Sequence, residues 1–186
     1  MLQSLKEWDL ELLLWLNNLG IETYDSFWVF VTQIQSWIPL FVFFFVLIFY
    51  QYGFKKGLLV VLLTIITFTL TITLTNLVKE YVARLRPNNV EELRSLIRIL
   101  QQPSNYSFFS GHASSSFAVT TFVVLATRDS SKWIYVTYLW PLVFVMSRIY
   151  VGVHYPSDIV VGAVVGTLIA MAMYRLCRFL LKKIQP

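Results

Sequence analysis

The fold of this chain is decided at residues 147–158, which read SRIYVGVHYPSD and join two apolar runs, 133–151 and 159–181. Each run is close to the roughly 20 residues that a helix needs to cross the hydrocarbon core of a membrane. The segment nevertheless contains an arginine, a histidine and an aspartate. Charged groups at membrane depth are costly unless they face a polar cavity. The stretch therefore predicts a helical membrane protein with a polar site at one end of its helices.

The composition indicates a multi-span membrane protein of a single domain, residues 1–186. Of the 186 residues, 57% are hydrophobic and 13% are charged, whereas about one quarter of an ordinary soluble domain is charged. Five apolar runs have a length suited to a membrane span. They cover residues 28–50, 57–78, 107–127, 133–151 and 159–181.

The first residues predict a helix that lies in the membrane interface. Between residues 2 and 19, apolar side chains recur at helical spacing and charged side chains are scattered among them. This mixture is typical of interfacial amphipathic helices. We therefore predict an all-α integral membrane protein, a bundle of about five transmembrane helices plus an N-terminal amphipathic helix at residues 1–22. A bundle of six spans is the alternative.

Basic residues are concentrated at one set of loop ends. With five alternating spans, the ends near 51–56, 128–132 and 175–186 share one side, and an excess of Lys and Arg marks the cytoplasmic face. We expect the C-terminus in the cytoplasm and the segments 79–107 and 147–158 on the extracytoplasmic side of the cell membrane. The basic residues are Lys55, Lys56, Arg128, Lys132, Arg175, Arg178, Lys182 and Lys183. This orientation also accounts for the net charge of +5, so the charge gives no reason to predict nucleic acid as a partner. The predicted partner is the bilayer, and no obligate protein partner is evident.

Three polar motifs fall on the predicted outer side. They read KEYVARLRP at 79–87, SGH at 110–112 and SRIYVGVHYPSD at 147–158. Both histidines of the chain lie in these motifs. The candidate site residues are Lys79 and Arg86; Ser110, Gly111 and His112; and Arg148, His154 and Asp158.

Three cations, Lys79, Arg86 and Arg148, indicate a pocket for an oxyanion of several charges. The arginine fork matches phosphate geometry and lysine supplies a compact charge. Gly111 lies where a loop enters a helix, so backbone N–H groups can approach an anion there, and the helix N-terminus adds its positive end. Ser110 can donate a further hydrogen bond. For any one cation alone, a snorkelling residue at a span end is the alternative.

His154 and Asp158 are separated by about one helical turn, so the carboxylate can reach the imidazole. A carboxylate bound to one ring nitrogen fixes the tautomer and leaves the other nitrogen free as a nucleophile. Taken alone, the pair also fits an aspartate that caps a helix beside a satisfied histidine. His112 favours catalysis, because displacement at phosphorus needs both a nucleophile and an acid for the leaving oxygen.

Other hydrolytic chemistries fit the sequence less well. The chain has no G-x-S-x-G nucleophile elbow, no H-E-x-x-H and no Walker loop, and its loops offer too few ligands for a catalytic zinc. We therefore predict a site that relies on fixed protein charge and takes no metal.

Together, the motifs K-x6-R-P, S-G-H and S-R-x5-H-x3-D resemble those of the type 2 phosphatidic acid phosphatase superfamily, which also includes vanadium-dependent haloperoxidases. Spacing and order both match, and the pattern of spans covers nearly the whole chain. The resemblance implies a helical membrane core and phosphatase chemistry without metal or cofactor. One departure is Phe109, which stands where the family commonly has proline, and which affects loop geometry or substrate preference more than activity.

The resemblance also implies a role for each motif residue. His154 is the implied nucleophile that forms a phosphohistidine, Asp158 orients it, and His112 protonates the leaving oxygen and later activates water. The implied phosphate-binding residues are Lys79, Arg86, Ser110, Gly111 and Arg148; Ser147 is assigned only a supporting role.

A site at the outer interface predicts an amphiphilic substrate, a phosphorylated membrane lipid. Candidates are undecaprenyl pyrophosphate, phosphatidylglycerophosphate, phosphatidic acid and a lipid A phosphate. In the loop 79–107, apolar residues at helical spacing from Leu93 to Leu100 predict a short interfacial helix. Arg94 and Arg98 either bind an additional phosphate or form a solvated basic face. A vanadate-dependent haloperoxidase and a catalytically inactive lipid-phosphate-binding protein are the alternative functions.

Overall fold

The structure of the chain is a computed structural model that describes residues 2–184, and within these residues every regular element is helical. The all-α prediction is confirmed. The α-helices are α1 (Leu2–Asn18), α2 (Asp25–Val31), α3 (Ile38–Val82), α4 (Gly111–Thr127), α5 (Leu139–Tyr150) and α6 (Pro156–Lys183). Short 3₁₀ helices precede α2, α3 and α5. The predicted ranges 1–22 and 175–186 include residues 1, 185 and 186, which lie outside the described residues.

Helix α3 consists of two arms, 38–52 and 54–82, that fold back on each other at Gly53. Gly53 has φ 68° and ψ −179°, a backbone conformation that glycine adopts at little cost. Phe44 of the first arm and Val60 of the second belong to the same buried apolar cluster. The break falls in the predicted loop 51–56. Pro39 lies in the first turn of α3, where its missing N–H costs no hydrogen bond.

Two helical stretches are long and apolar enough to cross a membrane by themselves. They are Ile34–Leu93, which contains α3, and Pro156–Lys183, which is α6. Their outer surfaces expose many large apolar side chains, among them Leu77 at 66% and Val160 at 61%. Extensive apolar exposure of this kind is unusual for a soluble monomer and suits contact with lipid. The count of five spans stays a prediction.

Helix α4 lies at the centre of the bundle, in contact with α3, α5 and α6. Gly162 and Gly166 of α6 allow a very close approach, because an added Cβ would lie 2.7 Å from the Ser110 carbonyl oxygen and 2.0 Å from that of Ser114. Small residues four apart permit such backbone contact between membrane helices. On the other side, the Thr75 hydroxyl of α3 lies 2.9 Å from the Ser114 hydroxyl. These contacts fix the start of α4 relative to α3 and α6.

Helix α1 packs on the same end of the bundle as the polar motifs. Leu13 is fully buried in a cluster with residues of α5 and α6. Asn17, also fully buried, donates to the carbonyl oxygens of Ile149 at 2.9 Å and Tyr150 at 3.1 Å. The opposite face of α1 exposes Trp8 and Trp15, as expected of a helix that lies in an interface, although that position stays a prediction.

The loop between α3 and α4 differs from the prediction. In place of a helix from Leu93 to Leu100, the chain forms the short 3₁₀ helix Glu91–Leu93 and then turns. The N–H groups of Leu96 and Ile97 still bond locally, to the Leu93 carbonyl oxygen. Beyond them, that of Arg98 donates to Asn17 Oδ1 at 2.7 Å and that of Leu100 to the Val151 carbonyl oxygen at 3.2 Å. Tertiary hydrogen bonds thus replace the helical ones that the apolar spacing predicted.

Candidate active site

The three polar motifs meet at one cavity of about 320 Å³ at the end of the bundle. Among the described residues that line it, the charged ones are Lys79, Arg86 and Arg148, and both histidines are present. None of the lining residues that the structure describes is acidic. The opposite wall is apolar and includes Ile34, Phe68, Ile72 and Phe144. The cavity therefore combines a cationic end with an apolar wall.

The His154 ring is 1% exposed and is held at both nitrogens. Nδ1 lies 3.2 Å from Asp158 Oδ2, and Nε2 lies 3.0 Å from Arg86 Nη1. Because a guanidinium only donates, Nε2 must accept, so the ring proton is on Nδ1 and faces the carboxylate. The nitrogen on the cavity side therefore carries the lone pair, as a nucleophile requires.

Asp158 is oriented by its position in the first turn of α6. Its Oδ2 accepts from the backbone N–H of Tyr155 at 3.1 Å, which caps the helix. The Ser107 hydroxyl also donates to Oδ2 and lies 3.2 Å from His154 Nδ1. Arg84 forms an ion pair with Oδ1 at 2.8 Å. The Asp158 carboxylate thus serves as a helix cap and as the partner of the histidine, so both interpretations of the His–Asp pair apply at once.

Arg86 connects the loop before α4 to the histidine. Besides His154, its guanidinium donates to the carbonyl oxygen of Val153 at 3.0 Å, to that of Asn105 at 2.8 Å and to Asn105 Oδ1 at 2.9 Å. Burial lowers the pKa of Arg86 to about 10, with the Asp158 charge opposing the decrease. The residue therefore keeps its positive charge at neutral pH.

The other two cations approach the cavity from helix ends. Lys79, in the last turn of α3, donates from Nζ to the Tyr106 carbonyl oxygen at 2.7 Å. Arg148, near the end of α5, donates to the Thr32 hydroxyl and to Gln101 Oε1 at 2.9 Å. Within residues 2–184 the buried Nε of Arg148 has no hydrogen-bond partner. Both cations are thus held by weak neutral acceptors that an oxyanion can replace.

The S-G-H motif forms the start of α4. Gly111 is the first helical residue and lines the cavity with His112, whose ring packs on Phe144 at a centroid distance of 4.7 Å. Ser110 is fully buried and caps α4 by accepting from the Ala113 N–H at 3.4 Å. It is absent from the cavity lining, so its position fits a helix cap better than the predicted phosphate ligand. Phe109, the departure noted in the sequence, is buried, so packing holds the entry to α4.

Of the two alternatives for Arg94 and Arg98, the extra phosphate site is not assembled. Arg98 forms an ion pair with Asp25 at 2.6 Å, and the Tyr150 hydroxyl donates to the same carboxylate at 2.8 Å. Arg94 is exposed and pairs with Glu91 at 2.9 Å. Neither arginine lines the cavity that contains the histidines.

Sequence reasoning missed several residues of the site: Asp9, Thr32, Arg84, Gln101, Asn105 and Ser107. Only Arg84 carried a signal, since it lies inside the first motif, two residues before Arg86. Asp9 and Thr32 reach the site from the N-terminal part of the chain, and no spacing marks them. Gln101, Asn105 and Ser107 lie in the loop before α4, where no spacing distinguishes them from their neighbours. Within the described part of the chain, no group of three His, Cys, Asp or Glu side chains is arranged to hold a metal ion.

The pKa of His154 provides a test of this geometry. Burial, followed by the positive charges of Arg86, Arg148, Lys79 and Arg84, holds its pKa well below the ordinary value of 6.5. The chain has two histidines, so the His112→Asn variant, produced without a histidine tag, contains His154 alone. We expect the ¹⁵N signal of its labelled imidazole to titrate with a midpoint below 6.5. A midpoint at or above 6.5 would contradict a ring that is buried beside these cations.

The chain is similar in sequence to several phosphatases. It is 27% identical to the lipid A 4'-phosphatase of Bacteroides thetaiotaomicron over 170 residues, which make up 89% of this chain and 75% of that protein. It is 38% identical over 95 residues to the undecaprenyl-diphosphatase of Sulfolobus acidocaldarius. That match covers 50% of this chain and 44% of the relative, so the chain spans less than half of the relative's length there.

Two solved structures share the fold. The first transmembrane PAP2 type phosphatidylglycerolphosphate phosphatase from Bacillus subtilis superposes with a TM-score of 0.72 at 21% identity, covering 98% of this chain and 88% of that one. LpxE of Aquifex aeolicus superposes with a TM-score of 0.62 at 24% identity, covering 89% and 94%. At these identities the likeness concerns the fold alone. The sequence model of the PAP2 superfamily matches residues 57–181, more than half of the chain and all three polar motifs, and the chain therefore belongs to the PAP2 superfamily.

Proposed function

We propose that this protein is a membrane lipid phosphatase that hydrolyses a phosphomonoester or pyrophosphate on a lipid headgroup through a phosphohistidine intermediate. Membership of the PAP2 superfamily supports a membrane-embedded phosphatase. The observation that carries the proposal is the state of His154: Asp158 binds its Nδ1, and its Nε2 accepts from Arg86 at the cationic end of the cavity.

In the first proposed step, His154 Nε2 attacks phosphorus. The P–N bond forms while the bond to the leaving lipid oxygen breaks, and His112 transfers a proton to that oxygen. Asp158 stabilises the positive charge that develops on the ring, and the cations bind the phosphoryl oxygens, whose charge spreads in the transition state. In the second step, His112 takes a proton from water, the hydroxide attacks phosphorus, and the P–N bond breaks to release phosphate.

The cavity walls support an amphiphilic substrate. The cationic end suits a phosphate, and Ile34, Phe68 and Ile72 form an apolar wall beside it. A lipid headgroup at the cations would keep its tails along this wall and in the bilayer. Among the candidates, a lipid A phosphate is the first to test, because the alignment with the lipid A 4'-phosphatase covers most of both chains.

The experiment is phosphate release by detergent-purified protein from the four candidate lipids, with an excess of chelator. We expect chelator-resistant release from at least one of them. Release that disappears with chelator would contradict the metal-free mechanism. No release from any lipid would overturn the enzyme proposal and favour a lipid-phosphate-binding protein, while vanadate-dependent halide oxidation would favour the haloperoxidase.

We also propose that the active site faces outward and the C-terminus faces the cytoplasm, on the basis of the basic residues near 51–56, 128–132 and 175–186. The same assay tests the orientation. Right-side-out vesicles should hydrolyse added lipid without detergent, whereas sealed inverted vesicles should need detergent. The reverse pattern would contradict the orientation and leave the chemistry intact.

A further inference from the structure

A polar network joins the N-terminal helix to the histidine site. Arg84 bridges two carboxylates: its Nη1 donates to Asp158 Oδ1 at 2.8 Å and its Nη2 to Asp9 Oδ2 at 2.7 Å. The other oxygen of Asp158 serves His154. A chain of direct contacts thus runs from α1 to the imidazole.

Asp9 is itself fixed to the first turn of α6. Its Oδ1 accepts from the backbone N–H of Ser157 at 2.8 Å, and the Ser157 hydroxyl donates to its Oδ2. The Arg84 guanidinium lies 3.7 Å from the centre of the Tyr155 ring, which restricts it from a third direction. The side chains of Asp9 and Asp158 are 10% and 0% exposed, so water screens these charges only weakly.

The charges of the network explain why a second carboxylate is needed. Arg84 alone beside Asp158 would neutralise the carboxylate that has to stabilise positive charge on the His154 ring. With Asp9 present, Arg84, Asp9 and Asp158 sum to one negative charge, and this charge remains available to the histidine. The arginine can therefore hold Asp158 in place without cancelling its electrostatic effect.

We propose that Asp9 and Arg84 are positioning residues for the phosphatase reaction, and that α1 is thereby a functional part of the active site. The inference rests on the proposed function. It concerns a helix outside the region that matches the family model, residues 57–181. Neither residue lines the cavity, and their hydrogen bonds reach His154 through Asp158.

The first test compares Asp9→Asn with Arg84→Met. We expect each to lower kcat by about tenfold to a hundredfold, because small displacements of a reacting group are costly, with KM changed less than threefold. The acid limb of kcat/KM should move in opposite directions in the two variants. In Asp9→Asn it moves to lower pH, because the positive charge of Arg84 is left uncompensated near His154. In Arg84→Met it moves to higher pH, because that positive charge is gone. Ionisation of the substrate is common to all variants and cancels in the comparison.

The opposite shifts depend on all charged and titratable groups that face the His154 ring and its carboxylate. From α3 to α6 and their loops these are Lys79, Arg84, Arg86, His112, Arg148, Tyr155 and Asp158, and from α1 the group is Asp9. The two variants change one of them at a time.

A double-mutant cycle separates positioning from structure. In the Asp158→Asn background, Asp9→Asn should lower kcat by less than twofold, because the residue through which it acts is already neutral. Asn17→Ala is the matched control, since it breaks a buried anchor of the same helix away from the site; we expect a lower unfolding temperature and an unchanged pH profile. Asp9→Glu should recover most of the kcat lost in Asp9→Asn.

The outcomes are distinguishable. If the wild type releases no phosphate, the proposed function fails. Two results in an active wild type would make the inference fail while the function stands. In the first, Asp9→Asn retains the wild-type kcat and acid limb. In the second, Asp9→Asn only loses stability and has the same pH profile as Asn17→Ala. An equal effect of Asp9→Asn with and without Asp158→Asn would also overturn it.

Discussion

The His154→Ala variant should release phosphate at least about 10⁴-fold more slowly than the wild type, the largest loss expected for any single residue of this chain. Removal of a nucleophile abolishes the covalent route altogether, as in other enzymes with an essential nucleophile. Substrate affinity should persist, because Lys79, Arg86 and Arg148 remain in the cavity. The measurement is phosphate release under single-turnover conditions.

Because His154 is buried, a loss of activity needs a control for folding. The variant should keep its unfolding temperature within a few degrees and still bind inorganic phosphate, which requires only the cationic end of the cavity. Loss of phosphate binding together with activity would point to collapse of the site instead of loss of the nucleophile. His154→Gln, which keeps a polar side chain of similar reach, serves as the second variant.

The covalent intermediate can be sought in a variant that keeps His154 and lacks the other histidine, His112→Ala. Without the base that activates water, hydrolysis of the phosphoenzyme should slow more than its formation, provided that the substrate is a lipid pyrophosphate, whose leaving group is a lipid monophosphate that needs little protonation. Label from ³²P-pyrophosphate lipid should then accumulate on protein, stable in alkali and lost in acid. Absence of label at a time when turnover proceeds would contradict the phosphohistidine.

The second large effect is expected for Arg86→Lys. We expect kcat/KM to fall by about 10²-fold to 10³-fold, the cost of removing an electrostatic donor from a pre-organised site. Lysine keeps the charge but offers one nitrogen, whereas the guanidinium reaches Val153, Asn105 and His154 simultaneously. A single ammonium cannot reproduce these directions. The measurement is steady-state kinetics with the best lipid substrate.

Arg94→Lys is the matched control for Arg86→Lys. Arg94 lies in the same loop, but its side chain is 54% exposed and pairs with Glu91 at the surface. We expect its kcat/KM within twofold of the wild type. If Arg86→Lys retained more than a tenth of the wild-type value, charge alone would suffice at this position and the fork geometry would be dispensable.

The sequence predicted the site best where the chemistry follows local spacing. His154 and Asp158 are one turn apart at a helix start, and the structure places them in contact. Lys79, Arg86, His112 and Arg148 lie at helix ends or in the loop between them, and the structure brings them to one cavity. The roles assigned to these residues stay predictions, since placement alone does not demonstrate catalysis.

The sequence predicted poorly where a contact joins distant segments. Asp9 meets Arg84 across 75 positions and Arg98 meets Asp25 across 73. Nothing in the spacing of α1 marks Asp9 as different from the other charged residues around it. The helix expected from Leu93 to Leu100 fails for the same reason, because the backbone N–H groups of Arg98 and Leu100 bond to Asn17 and Val151.

The contact of Gly162 and Gly166 with the backbone of α4 bears on how this protein can change over time. The distance between the start of α4, which carries His112, and the start of α6, which His154 precedes, depends on main-chain atoms in direct contact. Substitutions in the apolar wall of the cavity leave these main-chain contacts unaltered. Ile34 and Phe68 belong to other elements and are exposed, so they can vary in size without moving either histidine. Selection for a new lipid, or a library built in the laboratory, can therefore reshape the wall while the reaction centre keeps its dimensions.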